Sequence, residues 1–295
     1  IRMSGYRPVW KYCDFSCVRI LSWNVSARRA GGFGRVMSEQ LARLRRVFFV
    51  GLAFVVFGVG GIGIRIILFP LVQLCVRDPQ TRSALARDFI GWSFRCLVGF
   101  LRAFGVLDYK IIGAEKLERR GLLILANHPT LLDIVFLMAF VRRADCIVKS
   151  GLWRNPFMRG PVKAAGYIRN DHGVGLLDAC IAAIDRGESL VIFPEGTRTS
   201  SDGAIKLKRG AAHIAVRSAC RVTPVLIRCA PPMLVKWNRW WRLPSKRVRY
   251  RFEVRDDIDV QGVVGGAASK ALAARRLTDH LHVFFKKETE RHGFA

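Results

Sequence analysis

Residues 121–133 read GLLILANHPTLLD, and this stretch decides the fold. The unbroken apolar run after Gly121 predicts a strand buried on both faces. A proline suits the first turn of a helix, so we predict that a helix opens at Pro129 and runs through Leu131 to Phe140. The segment therefore predicts a strand that passes into a helix through a short polar junction at Asn127 and His128.

The chain continues to alternate between strands and helices after Tyr109. The further predicted strands lie near Cys146–Lys149, at Ser189–Phe193 and at Val222–Arg228, and the further predicted helices lie at Leu176–Arg186 and Gly210–Ala219. Such alternation predicts an α/β fold, in which helices flank a mixed central sheet and the loops at the strand ends carry function.

The N-terminal third has a different character. Residues 1–36 show no periodicity and are predicted to form an unstructured extension, and residues 37–108 are predicted to form a membrane-anchoring helical arm. The apolar run Val47–Ile64 is long enough to span a bilayer, which favours a membrane anchor or a re-entrant helical pair over a buried core helix. The second segment, Phe89–Leu107, suits either an interfacial amphipathic helix or a helix packed on the domain.

Charge and composition restrict the partners. The chain has 49 Lys and Arg against 22 Asp and Glu, a net charge of +27, while 51% of its residues are hydrophobic. This charge attracts anionic lipid, nucleic acid or an acidic carrier protein, and charge alone does not choose among them. Residues 233–255 interleave tryptophans with Lys and Arg, which suits an anionic membrane interface, a carrier-protein docking surface, single-stranded nucleic acid or a solvated basic hairpin. The hydrophobic arm favours the membrane or the carrier protein over nucleic acid.

A histidine and an aspartate stand five positions apart in the junction after the first strand. This spacing is not one face of a helix, so His128 and Asp133 meet only if His128 lies at a non-helical entry. Asp133 would then hold one ring nitrogen and leave the other to take a proton from a hydroxyl. The alternative is a capping histidine with a solvated aspartate.

A second polar motif follows the predicted strand at Ser189–Phe193. Residues 193–198 read FPEGTR, in which a glycine permits close backbone approach and Arg198 offers a planar fork for phosphate. The alternative is an ordinary polar turn. Two further segments complete the set, Gly166–Arg169 and Val222–Ile227. No zinc-ligand spacing accompanies the eight scattered cysteines, so we predict reduced thiols and no metal.

In their order along the chain, the segments at residues 127–133, 166–169, 193–198 and 222–227 resemble the four motif blocks of the glycerolipid acyltransferase family, whose archetype is 1-acylglycerol-3-phosphate acyltransferase. The resemblance spans about residues 109–228 and marks 109–295 as the catalytic domain. It implies that His128 is the general base and Asp133 its orienting partner. It also implies a set of substrate-binding residues: Asn127 in the first block, Arg169, Glu195, Gly196, Thr197 and Arg198 at the phosphate end of the acceptor, and Pro224 on the acyl-donor side.

The resemblance implies an enzyme that transfers a fatty acyl group from acyl-CoA or acyl carrier protein to a lysophospholipid hydroxyl, without a bound cofactor. The first candidate acceptor is 1-acylglycerol-3-phosphate, and a lyso-aminolipid or another specialised lipid is the alternative. A second class is a non-catalytic basic membrane or nucleic-acid binder that retains the fold. Arginines before the apolar run place the protein on the cytoplasmic face of the inner (plasma) membrane.

Overall fold

The computed structural model describes residues 32–170 and 175–291. Most of the predicted N-terminal extension, residues 1–31, lies outside this part of the chain. Helix α1 begins at Gly32, so the last five residues of that predicted extension are helical. The assignment of residues 1–36, 37–108 and 109–295 to separate units stays a prediction.

Seven strands form one sheet in the order β1-β7-β6-β2-β5-β3-β4. Their bounds are β1 Leu107–Ile112, β2 Leu123–Ala126, β3 Ala144–Val148, β4 Ile168–Arg169, β5 Ser189–Ile192, β6 Val222–Ala230 and β7 Val248–Val254. All neighbours are parallel except β6 and β7, which pair antiparallel. The predicted mixed α/β sheet is therefore confirmed.

Ten α-helices accompany the sheet in the described residues. Their bounds are α1 Gly32–Gly63, α2 Phe69–Cys75, α3 Pro79–Ala103, α4 Asp133–Phe140, α5 Ser150–Arg154, α6 Arg159–Ala165, α7 Gly175–Asp185, α8 Gly210–Ser218, α9 Val260–Val264 and α10 Lys270–Glu290. A π-helical turn at Ile64–Leu68 joins α1 to α2, and a 3-10 turn at Ala114–Glu118 follows β1.

The position of β2 in the sheet explains why residues 123–126 are apolar at every position. Ile124 and Ala126 point into the core that contains α3 and α4, whereas Leu123 and Leu125 point into the core that contains α7, α8 and α10. All four side chains have no solvent exposure. A central strand covered on both faces needs apolar side chains at every position, so the alternation seen in half-exposed strands is absent.

Helix α3 begins earlier than predicted. The prediction placed a helix at Phe89–Leu107, but α3 starts at Pro79, where Asp78 caps it by accepting from the N–H groups of Gln80 and Thr81. A capping aspartate followed by a first-turn proline is a strong start signal. Residues Ile90, Phe94 and Val98 of α3 are buried in the same core as α4, so this helix packs on the domain.

Helix α4 begins later than predicted. It starts at Asp133, not at Pro129. The N–H of Leu131 donates to the carbonyl of Leu234 at 3.1 Å, and the N–H of Thr130 donates to the Asp133 carboxylate at 2.6 Å. These hydrogen bonds hold residues 129–132 in a non-helical conformation, because neither bond is one that a helix forms between its own backbone groups.

The apolar arm lies against the domain along one side. Helix α1 buries Val50 and Ala53, and its Gly61 comes so close to the carbonyl of Phe157 that an added Cβ would lie 2.7 Å from that oxygen. The stretch Met37–Cys75 is long and apolar enough to cross a membrane by length and composition, and 17% of its most apolar window is buried. Most of this apolar surface therefore faces outward.

Candidate active site

The site lies where β2 and β5 end side by side. These strands are parallel neighbours in the middle of the sheet, so their carboxyl ends open at the same edge. The junction after β2 carries His128, and the FPEGTR segment, residues 193–198, follows β5. Ligands of open α/β sheets bind at this edge, outside the carboxyl ends of the strands. The topology therefore brings together two motifs that are 67 residues apart in sequence.

His128 and Asp133 meet across a non-helical entry, which is the geometry that their spacing allows. The Nδ1 atom of His128 lies 2.9 Å from Oδ2 of Asp133. Asp133 is fully buried, whereas 16% of the His128 side chain is exposed. An ionised carboxylate only accepts hydrogen bonds, so Nδ1 carries the proton in this contact and Nε2 is the basic nitrogen. The contact between the two side chains is confirmed, and their catalytic roles stay a prediction.

A chain of hydroxyls reaches the other oxygen of Asp133. Thr130 donates through Oγ1 to Oδ1 of Asp133 at 2.5 Å, and the Tyr250 hydroxyl donates to Thr130 Oγ1 at 3.0 Å. Thr130 and Tyr250 are buried. A hydroxyl has only one proton to donate, which fixes the direction of this chain from Tyr250 toward the carboxylate. Tyr250 lies on β7, beyond the four motif blocks.

Burial and hydrogen bonding act in opposite directions on Asp133. Burial raises the pKa of the Asp133 carboxyl above its ordinary value, while hydrogen bonds and charge from His128, and hydrogen bonds from Thr130, lower it again. Three hydrogen bonds to the carboxylate therefore offset part of the cost of burying a negative charge. Loss of any of them shifts the balance toward the protonated acid.

The ring of His128 is held on a second side by Phe193. The two rings stack with centroids 4.0 Å apart and an interplanar angle of 18°. Phe193 is half-buried and directly follows β5, so the sequence places an aromatic face where the imidazole lies. The Asp133 contact and this stacking together leave the imidazole little rotational freedom.

The side chain of Glu195 links the junction after β2 to the FPEGTR segment. Its Oε1 accepts from the backbone N–H of His128 at 2.9 Å and from the hydroxyl of Thr199 at 3.0 Å. The N–H of Thr199 also donates to the carbonyl of His128 at 2.8 Å. Glu195 is buried, and burial raises the pKa of its carboxyl. These contacts place Glu195 between the motifs, and the prediction that it binds the acceptor phosphate gains no support from them.

The rest of the FPEGTR segment forms an exposed turn beside cations. Gly196 and Thr197 are exposed, and Gly196 has φ +67°, a conformation that favours glycine. A Cβ at Gly196 would lie 3.0 Å from Nζ of Lys208, so this lysine, which sequence reasoning missed, crosses the turn. Arg198 donates from Nη1 to the carbonyl of Leu234 at 2.9 Å. A guanidinium has five N–H donors, and this contact uses one.

The remaining predicted site residues lie further from the imidazole or face the fold. The Asn127 side chain donates to the carbonyl of Ile227 at 2.9 Å and accepts from its N–H at 2.7 Å, which extends the pairing of β2 with β6. Pro224 is buried within β6 opposite Leu125. Arg169 ends β4, which lies three strand positions, or about 14 Å, from β2 in the sheet. Its guanidinium lies 5.1 Å from the Trp153 ring centroid. The binding roles of these residues stay predictions.

Comparison with known proteins gives a family for this site. Residues 108–228 match the model of the Acyltransferase family, and this range includes all four motif blocks. The crystal structure of the 1-acyl-sn-glycerophosphate acyltransferase from Thermotoga maritima has a TM-score of 0.62 to this chain, and the match covers 84% of this chain and 98% of that one. Sequence identity to it is 20%, so this likeness establishes the shared fold.

Two curated relatives are 1-acyl-sn-glycerol-3-phosphate acyltransferases. The Helicobacter pylori protein is 36% identical over 112 residues, which are 36% of this chain and 47% of that protein. The Saccharomyces cerevisiae protein is 27% identical over 143 residues, which are 45% of this chain and 47% of that protein. The chain thus spans about half the length of these relatives. The resemblance inferred from the four motif blocks is therefore confirmed for residues 108–228, which match the acyltransferase family model.

Proposed function

We propose that this protein transfers a fatty acyl group from a thioester donor to the free hydroxyl of a lysophospholipid, with 1-acylglycerol-3-phosphate as the first candidate acceptor. The observation that carries the proposal is the contact of His128 Nδ1 with the buried Asp133 carboxylate at 2.9 Å, beside a turn that presents Arg198 and Lys208. The family membership of residues 108–228 and the names of the relatives support the same activity.

The chemistry needs one base and no covalent enzyme intermediate. His128 Nε2 takes the proton from the acceptor hydroxyl as its oxygen attacks the thioester carbonyl carbon. A tetrahedral intermediate forms, and its collapse breaks the carbon–sulfur bond. The imidazolium returns the proton to the departing thiolate, so proton and leaving group balance. Asp133 holds Nδ1–H through the cycle and stabilises the imidazolium, as an aspartate does for the histidine of a serine hydrolase.

Cations at the FPEGTR turn suit the phosphate end of the acceptor. Arg198 and Lys208 lie at this turn, and the exposed backbone of Gly196 and Thr197 permits close approach of an anion. Phosphate fixed here would direct the neighbouring glycerol hydroxyl toward His128. A lysolipid with a different anionic head would use the same turn, so acceptor identity is the finer part of the proposal.

The arm supports attachment of the protein to the membrane that supplies its acceptor. Helix α1 packs on the domain through Val50 and Ala53, while Val55, Val56 and Val59 are each about 60% exposed. Arg65, in the π-helical turn that follows α1, donates to the carbonyl of Pro156, so the arm also contacts the domain beyond the end of α1. A helix fixed in this way embeds its outer apolar face in lipid and keeps the site near the surface. The cytoplasmic face is the proposed side.

An acyl-transfer assay with a panel of acceptors and donors tests the proposal. Wild-type enzyme in lipid nanodiscs would receive lysophosphatidic acid, lysophosphatidylcholine or a lyso-aminolipid, each with acyl-CoA and with acyl carrier protein. His128→Ala serves as the blank. We expect transfer to lysophosphatidic acid that the blank lacks, because the hydroxyl is a weak nucleophile without a base. Equal transfer by wild type and blank would overturn the assignment of His128 as the base, and no transfer with any pair would overturn the acyltransferase assignment.

A further inference from the structure

The connection between β6 and β7 exposes large aromatic rings. We call residues 236–247, which read KWNRWWRLPSKR, the tryptophan loop. Trp237 is 51% exposed, Trp240 is 43% exposed and Trp241 is 44% exposed. Tryptophan seldom stays this exposed in water without a partner, and in membrane proteins it concentrates at the boundary between headgroups and hydrocarbon.

The same loop is strongly cationic. It contains five exposed Lys or Arg and no Asp or Glu, so it carries a charge of +5 over 12 residues: Lys236, Arg239, Arg242, Lys246 and Arg247. The guanidinium of Arg239 lies 5.3 Å from the Trp241 ring centroid. Aromatic and cationic groups are thus mixed on one surface, which is the chemistry that an anionic lipid interface recognises.

The loop is fixed to the N-terminal arm. The ring of Trp240 covers Gly51 of α1, where an added Cβ would lie 3.5 Å from the indole, and it meets the Phe54 ring edge-on at 5.9 Å. Arg46 of α1 donates to the carbonyl of Ser245. The loop therefore continues the apolar outer face of α1 and adds positive charge beside it.

We propose that the tryptophan loop binds the headgroups of an anionic bilayer and holds the catalytic domain against the membrane next to α1. This inference rests on the membrane attachment proposed above. The tryptophan loop is continuous with the exposed face of α1 and carries three exposed indoles. Both features favour lipid over an acidic carrier protein, because a soluble acidic surface offers no hydrocarbon layer into which the indoles could insert. Each Lys or Arg at an anionic surface strengthens binding about fivefold.

Hydrogen exchange with mass spectrometry tests the proposal on the full chain. The protein would be placed in nanodiscs of phosphatidylcholine alone, and in nanodiscs that also contain phosphatidylglycerol. We expect peptides from the tryptophan loop to exchange more slowly in the anionic nanodiscs, and high salt to abolish the difference. Peptides from 47–64 report the anchor separately, and they should be protected in both lipids. Fast exchange at 47–64 would indicate failure of membrane attachment itself.

A matched pair of charge variants separates the loop from overall charge. The loop variant is Lys236→Gln/Arg242→Gln/Lys246→Gln, which removes three exposed cations of the tryptophan loop. It should weaken the protection of the loop by about fivefold per removed cation. Normal protection of peptides from β2 and β5 would show that this variant is folded.

The control variant is Lys270→Gln/Arg275→Gln/Lys286→Gln on α10, which packs against the opposite face of the sheet. It removes the same charge and should retain the protection. Equal exchange of the wild-type loop in both lipids, or equal loss in both variants, would overturn the proposal. Protection that appears only when acyl carrier protein is added would overturn it in favour of a protein partner.

Discussion

Replacing Thr130 by valine should shift the pH dependence of activity by removing one hydrogen bond from Asp133. Thr130 Oγ1 donates to Oδ1 of Asp133 at 2.5 Å, and this bond lowers the pKa of a carboxyl that burial has raised. A hydrogen bond to a charged group contributes about 1.5–3 kcal/mol, and one pKa unit corresponds to about 1.4 kcal/mol. Loss of this hydrogen bond should therefore raise the pKa of Asp133 further above its ordinary value.

The sign of the effect on activity follows from the direction of this shift. The ionised Asp133 orients His128, so activity is lost as falling pH protonates the Asp133 carboxylate. A higher pKa of Asp133 moves this loss to higher pH, so the acid limb of kcat/KM should move upward in pH. The displacement of the acid limb between variants is the quantity to compare.

Steady-state kinetics across pH, with Thr130→Ser as the matched control, measures this displacement. Serine keeps the hydroxyl and should keep the wild-type limb, while thermal unfolding checks that both variants are folded. An unchanged limb in Thr130→Val would refute the reasoning, and so would an equal shift in Thr130→Ser.

Three further predictions concern the same site. Tyr250→Phe removes the donor to Thr130 and should lower kcat severalfold without raising KM. Urea titrations should show a loss of about 1 kcal/mol in the free energy of unfolding. An unchanged kcat would contradict a positioning role for Tyr250. Glu195→Ala leaves the backbone N–H of His128 without its acceptor and should lower the free energy of unfolding by about 1–3 kcal/mol. Glu195→Gln keeps a side-chain oxygen that can accept from this N–H and should be more stable. Equal melting temperatures for the two variants would contradict the bridging role of Glu195. Arg198→Gln should raise KM for lysophosphatidic acid about 10- to 100-fold with a smaller change in kcat, and an unchanged KM would count against phosphate binding.

The central part of the fold could be predicted because its signals are local. The apolar run at β2, the strand at β5 and helix α7 with its stop at Gly187 follow from hydrophobic pattern and glycine placement. Contact between His128 and Asp133 was one of two alternatives that the sequence allowed, because their spacing permits contact only across a non-helical entry.

The start of α4 could not be predicted from propensity. A proline at the first helical turn is a general preference, but here residues 129–132 bond to Leu234, about 100 residues later, and to the Asp133 side chain. Tertiary contacts therefore overrode the local signal. The catalytic geometry depends on this outcome, because a helix from Pro129 would carry the two side chains to different faces.

Tyr250 and Lys208 were missed for a related reason. Tyr250 is 120 residues from Thr130, and only the sheet topology brings β7 near the site. A signal existed in the alternation of residues 248–254, which places Tyr250 on an apolar face where its hydroxyl requires a partner. Lys208 lies in the loop before α8, between Lys206 and Arg209, and nothing in its sequence context distinguishes it from other lysines of this basic chain.

The most direct test of the account is the turnover number of His128→Ala in single-acceptor assays with saturating donor. General-base catalysis contributes about 10²- to 10⁴-fold, so kcat should fall by that factor while thermal unfolding and lysophosphatidic acid binding stay near wild type. A variant that is folded, binds the acceptor and retains kcat within a few fold of wild type would contradict the role of the imidazole.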